Sequence, residues 1–222
     1  MTNKIIIAGI GETANLAYEY FTYDSDYEVV AFCVNKEYLK EKEFCSLPVV
    51  ELENLKDVYS PQDYKAFVAI SSTKLNRART KVYNEVKKQG FECVNYISSK
   101  ADVWHNAKLG ENCCIMSGCT VQPFASIGNN VTLWYNSNIG HRSVVKDNCF
   151  IATADIAGFT TIEENCFIGA RSVIADYTTV AKDNYIAMGS IVNKRTKENS
   201  IYKGNPAKRH EISAKEYCQV EE

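Results

Sequence analysis

Histidine occurs only three times in the 222 residues, as His105, His141 and His210, and no Cys-x-x-Cys pair or Cys/His spacing accompanies them. The chain lacks the ligand pattern of a zinc site, and no metal is expected. One-sided charge is missing too: 25 Lys and Arg against 27 Asp and Glu give a formal charge of -2, which supplies no field for nucleic acid or an acidic membrane. The longest apolar run, Ile5 to Ile10, falls far short of a bilayer span. The start MTNKIII carries no secretory signal and the nine cysteines are odd in number, so a cytoplasmic protein in a reducing compartment is expected. What remains is a soluble enzyme or binding protein, with 45% hydrophobic residues to build one or two compact cores.

Against these absences stands one regularity. An aliphatic residue recurs at nearly every sixth position: Val103, Leu109, Ile115, Val121, Ile127, Leu133, Ile139, Val145 and Ile151, then Ile162, Ile168, Ile174, Val180, Ile186 and Val192. A period of six fits neither a helix face nor strand alternation. Fixed self-similarity marks a solenoid, whose repeats bury their apolar sides only by stacking on one another. One hexapeptide per short strand and corner gives a three-sided parallel β-helix. The fourth residue after each aliphatic is usually small, as at Cys113, Cys119, Ala125, Ser137, Ser143, Cys149, Cys166, Ser172 and Ser190, because its side chain must fit a narrow bore. Those cysteines are therefore read as compact buried fillers. The register slips once, where Ile151 is followed by Ile156 after five residues.

The first ninety-odd residues follow another grammar. Ile5 to Ala8 reads as a buried parallel strand, followed by a Gly9-x-Gly11-x-x-Ala14 turn and a helix from Asn15 to Phe21. Further strands are expected at Val29–Val34, Ala66–Ile70 and Glu92–Tyr96, with a helix from Lys74 to Lys88. This alternation predicts an α/β unit with a small parallel sheet of Rossmann type. Ligands of such sheets sit at the carboxyl ends of the strands, which places Gly9, Gly11, Glu12, Thr13, Asn35, Ser71, Ser72 and Thr73 around a crevice. The glycine turn suits an anion at a helix start. Asn35-Lys36 stand where an acidic residue would hold a ribose, which argues against a nicotinamide cofactor. Three segments follow: a Rossmann-like unit over 1–97, to which the family resemblance described next assigns nucleotide-sugar binding, the β-helix over 98–195 and a tail over 196–222.

This order of parts, with Asn138-Ile139-Gly140-His141, Ile168-Gly169-Ala170, Ala187-Met188-Gly189-Ser190 and a closing Gly204-Asn205-Pro206-Ala207-Lys208, resembles the PglD/NeuD-like sugar acyltransferases of the left-handed β-helix superfamily. The resemblance implies transfer of an acetyl group from acetyl-CoA to a nucleotide-linked amino sugar, or acylation of a sugar hydroxyl, by a homotrimer with active sites between subunits. It implies that His141, the second residue after Ile139, is the catalytic base. Gly158, one coil further on across the slip, corresponds to the position whose backbone N-H meets the thioester carbonyl. Ala170 and Met188 correspond to positions flanking the pantetheine arm. The segment 205–208, with Asn205 and Pro206, would close over the nucleotide end of CoA, where Lys203 and Lys208 reach its phosphates.

The chain departs from the family in two places. The acidic residue that follows the family's catalytic histidine is Arg142 here, and a further histidine that contacts CoA corresponds to Phe150. That leaves a backbone carbonyl, or Asp155 in the slipped segment at a position where a small residue is expected, to hold the base. The family's Ser-Gly-His-Gly turn is replaced by Gly11-Glu12-Thr13-Ala14. The expected activity is N-acetylation of a nucleotide-linked amino sugar by direct attack on the thioester. O-acylation of a sugar or a sialic-acid-like acceptor, and a trimeric scaffold without chemistry, stay open as alternatives.

Overall fold

The computed structural model describes residues 3–221. Ile5, Ile6 and Ile7 are fully buried, as a strand covered on both faces must be, and they lie in β1 (Lys4–Ala8). Around it run β2 (Glu28–Val34), β3 (Glu43–Phe44), β4 (Leu47–Glu51) and β5 (Lys65–Val68), in the order β3-β4-β2-β1-β5. Neighbours are parallel except for the β3–β4 hairpin. The chain leaves β1 through α1 (Glu12–Tyr23) to β2 on one side, while β5 pairs with β1 on the other. The strand order reverses at β1, so the crevice opens beyond its carboxyl end.

Three expectations change here. The second long helix, α3 (Arg77–Lys88), starts at Arg77 and not at Lys74, because Lys74, Leu75 and Asn76 take left-handed backbone with φ of 51°, 49° and 66°. Leu75 and Asn76 are buried there, so tertiary contacts override the helical run. Between β4 and β5 lies one short helix, α2 (Leu55–Val58). The strand expected over Glu92–Tyr96 reduces to a single bridge from Cys93 to Ala66, and Tyr96–Ile97 already pairs with the β-helix. The β3–β4 hairpin was not foreseen. Its turn uses Cys45 and Ser46 at positive φ, and Pro48 faces the two-residue edge strand, where a missing N-H costs least.

From Tyr96 onward, two-residue rungs stack in register into three parallel sheets. Face A holds rungs beginning at 96, 114, 132, 150, 167 and 185, extended by Ile201–Lys203 and Lys208–Arg209. Face B holds those at 102, 120, 138, 155, 173 and 191, and face C those at 108, 126, 144, 161 and 179. This fits a left-handed hexapeptide β-helix. From Ile115 to Ile186 the aliphatics of the six-residue series, including Ile156, are at most 2% exposed, each stabilising by about 1.5–3 kcal/mol. The small inward residues do more than fit. Cys113, Cys119, Cys149 and Cys166 donate their thiols to the carbonyls of Gly128, Trp134, Glu163 and Ala181 on the next coil, as Ser143, Thr160 and Ser172 do with hydroxyls. Those donors satisfy corner carbonyls that the sheets leave open.

The N-terminal unit docks on face A and on the corner between faces C and A. Arg79 of α3 donates to the carbonyls of Asn130 and Cys149, and Asn76 to that of Cys166, one coil further on each time. Asp24, at the end of α1, accepts from Tyr96, Ser98 and Ser99 in the first rung. Ile5, Phe21 and Phe67 share one buried cluster with the bore. The tail ends in α4 (Ala214–Tyr217), whose Ala214 is buried with Leu75 and Ile201. No helix among the described residues is long and apolar enough to cross a membrane.

Candidate active site

His141 stands on the corner between faces B and C. Its backbone N-H donates to Gln122 Oε1 at 3.0 Å and its carbonyl accepts from the Phe159 N-H at 3.0 Å, which ties the corner to the coil on either side. The side chain is exposed and the ring lies against Gly158. A Cβ at residue 158 would stand 2.6 Å from Cε1, 2.9 Å from Nε2 and 3.0 Å from Nδ1, so only glycine leaves room for this placement. The Gly158 N-H has no acceptor among the described residues. Phe159 meets the imidazole edge to face, with centroids 5.1 Å apart and planes at 83°, and stacks on Tyr177 at 4.9 Å and 7°. Arg142 turns to the previous coil, where its guanidinium lies 4.5 Å from the centre of the Phe124 ring.

The slip lies where the sequence places it. Asn138 pairs with Asp155 and Ile139 with Ile156, 17 residues on instead of 18, and this shortened coil brings Gly158 under His141. The expectation for Asp155 needs correction. The missing residue falls before Ala154, so Ala154 fills the bore at 2% exposure and Asp155 points outward from face B between Asn138 and Val173. No hydrogen bond joins its carboxylate to His141.

The other residues matched by resemblance lie elsewhere. Ala170 and Met188 occupy the corner between faces A and B, one coil apart, with Met188 78% exposed. Lys203 and Lys208 face each other across a hairpin that continues face A, with Asn205 and Pro206 exposed in its turn. At the N-terminal unit the crevice divides at Ile70. One cavity of about 290 Å³ is lined by Glu12, Thr13, Ser71 and Ser72 together with Tyr20, Trp134 and Phe150. A second, of about 250 Å³, is lined by Gly9, Asn35, Glu37, Tyr38 and Lys81. Asn35 is held in place by donating to Glu53 and Glu85. Gly11 and Thr73 line neither. Gly9 has φ +129° and its missing Cβ would meet the Ala69 carbonyl at 2.7 Å, so that glycine is required by the turn; Gly11 has open space around it.

Chemically the corner offers an imidazole and a free amide side by side, and no nucleophile. Burial pushes the Cys113 and Cys114 thiols up to about 12, and raises Cys166 as well, so these stay protonated. Among the described residues no group of three or more His, Cys, Asp or Glu is placed to hold a metal. Sequence reasoning missed Gln122 and the Phe159–Tyr177 stack; the signal was there, since successive coils place Phe124, Arg142, Phe159 and Tyr177 at one corner position.

This arrangement of a small α/β sheet followed by a three-faced β-helix is found in solved acetyltransferase structures. The chain is similar to the acetyltransferase domain of PglB from Neisseria gonorrhoeae, with TM-score 0.84, 22% identity and coverage of 94% of this chain and 100% of that one. It is also similar to PerB from Caulobacter crescentus, solved with CoA and GDP-perosamine, with TM-score 0.81, 23% identity and coverage of 93% and 97%. At these identities the likeness establishes the fold. By sequence the chain is 32% identical over 127 residues to a 2,3,4,5-tetrahydropyridine-2,6-dicarboxylate N-succinyltransferase of Chelativorans sp. strain BNC1, covering 51% of this chain and 42% of that protein. It is 23% identical over 128 residues to a mitochondrial γ carbonic anhydrase of Arabidopsis thaliana, covering 51% and 46%. The chain thus spans less than half the length of these two curated relatives. No family model matches it.

Proposed function

We propose that the chain is an acetyl-CoA-dependent acyltransferase of the cytoplasm, acting on the amino group of a nucleotide-linked sugar as a homotrimer. The observation that carries this reading is the contact of the His141 ring with Gly158, beside an unpaired N-H, at the one shortened coil. His141 removes the proton as the amine nitrogen attacks the thioester carbonyl. The Gly158 N-H donates to the oxyanion, and CoA leaves as the thiol. With Cys113, Cys119, Cys149 and Cys166 buried inside the bore, transfer is direct.

The site is shared between copies. His141 lines none of five well-formed cavities and stands on a convex edge, while Ala170 and Met188, assigned to the pantetheine arm, lie on another corner. One CoA touches both corners only if it lies between two β-helices. Lys203, Asn205, Pro206 and Lys208 are placed at its nucleotide end. The N-terminal sheet, a Rossmann-type unit in this reading, holds the sugar nucleotide through the cavities at Gly9, Glu12, Thr13, Asn35, Ser71 and Ser72. The fold shared with PerB, itself solved with CoA and GDP-perosamine, supports this assignment.

The test is thiol release from acetyl-CoA with a panel of UDP-, dTDP- and GDP-linked amino sugars and their hydroxyl counterparts. Transfer to an amino sugar is expected, with a loss of about 10²–10⁴-fold in His141→Ala. Full activity in that variant removes the base assignment. A product acylated on oxygen replaces the N-acetyl reading by the O-acyl one.

A further inference from the structure

We propose that Phe159, backed by Tyr177, is the positioning residue that fixes the His141 imidazole. The inference rests on the acyltransferase reading of that site. A histidine on an open corner has a broad, two-fold χ2 torsion, and its ring plane is set only by what it touches. Catalytic imidazoles are commonly held by a carboxylate or carbonyl on one nitrogen. Here Asp155 points out from face B, and the residue that follows the histidine is Arg142, whose donor-only guanidinium stacks on Phe124.

Two residues are placed against the ring. Gly158 lies against its Nδ1, Cε1 and Nε2 atoms, and Phe159 stands perpendicular to it at 5.1 Å. Phe159 is itself fixed three ways. Its N-H donates to the His141 carbonyl, its backbone sits in the left-handed region at φ 55°, and its ring lies flat on Tyr177. Arg142 and Tyr177, at the same corner on the coils to either side, share that backbone conformation at φ 57° and 54°. Phe159 and Tyr177 are 41% and 74% exposed within one chain, so the packing of a single chain does not account for two stacked aromatics at this edge. A phenyl group offers neither a lone pair nor an N-H to either nitrogen. It therefore sets the plane of the ring while leaving both nitrogens free, one to take the proton from the acceptor and the other to meet solvent.

The experiment compares wild type with Phe159→Ala, Phe159→Tyr and Tyr177→Ala, using acetyl-CoA and the best acceptor from the amino-sugar panel. Phe159→Ala is expected to lower kcat by about 10- to 100-fold. Both KM values stay within about twofold, and the thermal midpoint and oligomeric state are unchanged. Phe159→Tyr restores kcat, and Tyr177→Ala gives a smaller loss of the same kind. A rise in either KM with kcat preserved makes Phe159 a substrate or CoA contact and overturns the proposal. So does loss of assembly, or failure of Phe159→Tyr to restore turnover. A wild-type protein that transfers no acyl group, or a His141→Ala variant as active as wild type, sinks the acyltransferase reading itself. Activity that depends on His141 and ignores Phe159 sinks only this inference.

Discussion

At the scale of single residues, Gly158 is the sharpest case. Sequence reasoning gave it a bare backbone so that a thioester carbonyl could come close; the structure adds that the missing side chain is where the imidazole rests. Gly158→Ala is expected to push the ring off its seat and cut kcat by about 10²-fold, because His141 is free to swing into solvent. The same freedom keeps the cost in stability under about 1 kcal/mol. Matched kcat and thermal-melt measurements check both halves, and full turnover in the variant means the ring does not work from this position. His141 and Gly158 were legible because a solenoid converts sequence spacing directly into spatial stacking, so counting one coil across the slip brings the two together. Asp155 was misplaced for a local reason. A five-residue step does not say which of its residues was dropped, and only the bore, filled by Ala154, settles it.

At the scale of elements, the aliphatic period revealed the β-helix because every sixth side chain enters the same narrow bore. The β3–β4 hairpin, two and five residues long, offers no such period, and the start of α3 depends on contacts more than a hundred residues away through Asp183. The docking of α3 was equally hidden, since its key cation has no carboxylate partner to suggest a pair. Arg79 is 2% exposed, donates to two carbonyls and leaves Nε and Nη1 unpaired; burial lowers it to about 10. Arg79→Ala leaves those carbonyls bare beside a cavity and is expected to cost about 3 kcal/mol. Arg79→Met keeps the volume and removes the buried charge, so its cost is smaller, about 1 kcal/mol. Urea unfolding of both variants checks the order. At the other junction, hydrogen bonds led by Ser99, with Tyr96 and Ser98, hold Asp24 at about 2, against an ordinary 3.8. A carboxylate so lowered stabilises the fold above its unfolded value and loses that contribution as pH falls through its folded one. Wild type is therefore expected to lose stability between about pH 4 and pH 2 relative to Asp24→Asn. Parallel curves for the two proteins over that window would show that the tether carries no charge-dependent energy.

At the scale of the whole molecule, the question is whether one chain or two build each site. His141 and Gly158 stand on one corner of the triangle, Ala170 and Met188 on another, and the rigid bore forbids bringing the corners together within a chain. In the homotrimer proposed above, each interface would join one corner of each kind, and every site would take its base from one copy and its acyl-donor contacts from the next. Two inactive variants then complement each other. Ala170→Trp blocks the pantetheine side and leaves His141 intact, while His141→Ala removes the base and leaves Ala170 intact. Unfolded together in equal amounts and refolded as mixed trimers, they generate sites that pair the intact His141 of one chain with the intact Ala170 of the other. With random assortment about a quarter of all sites are whole, so the mixture recovers about a quarter of wild-type activity from two preparations that have almost none. If both corners served a site within one chain, every site in the mixture would carry one defect or the other. The mixture would then stay as inactive as its parents, and the assignment of the two corners to one shared site would fall.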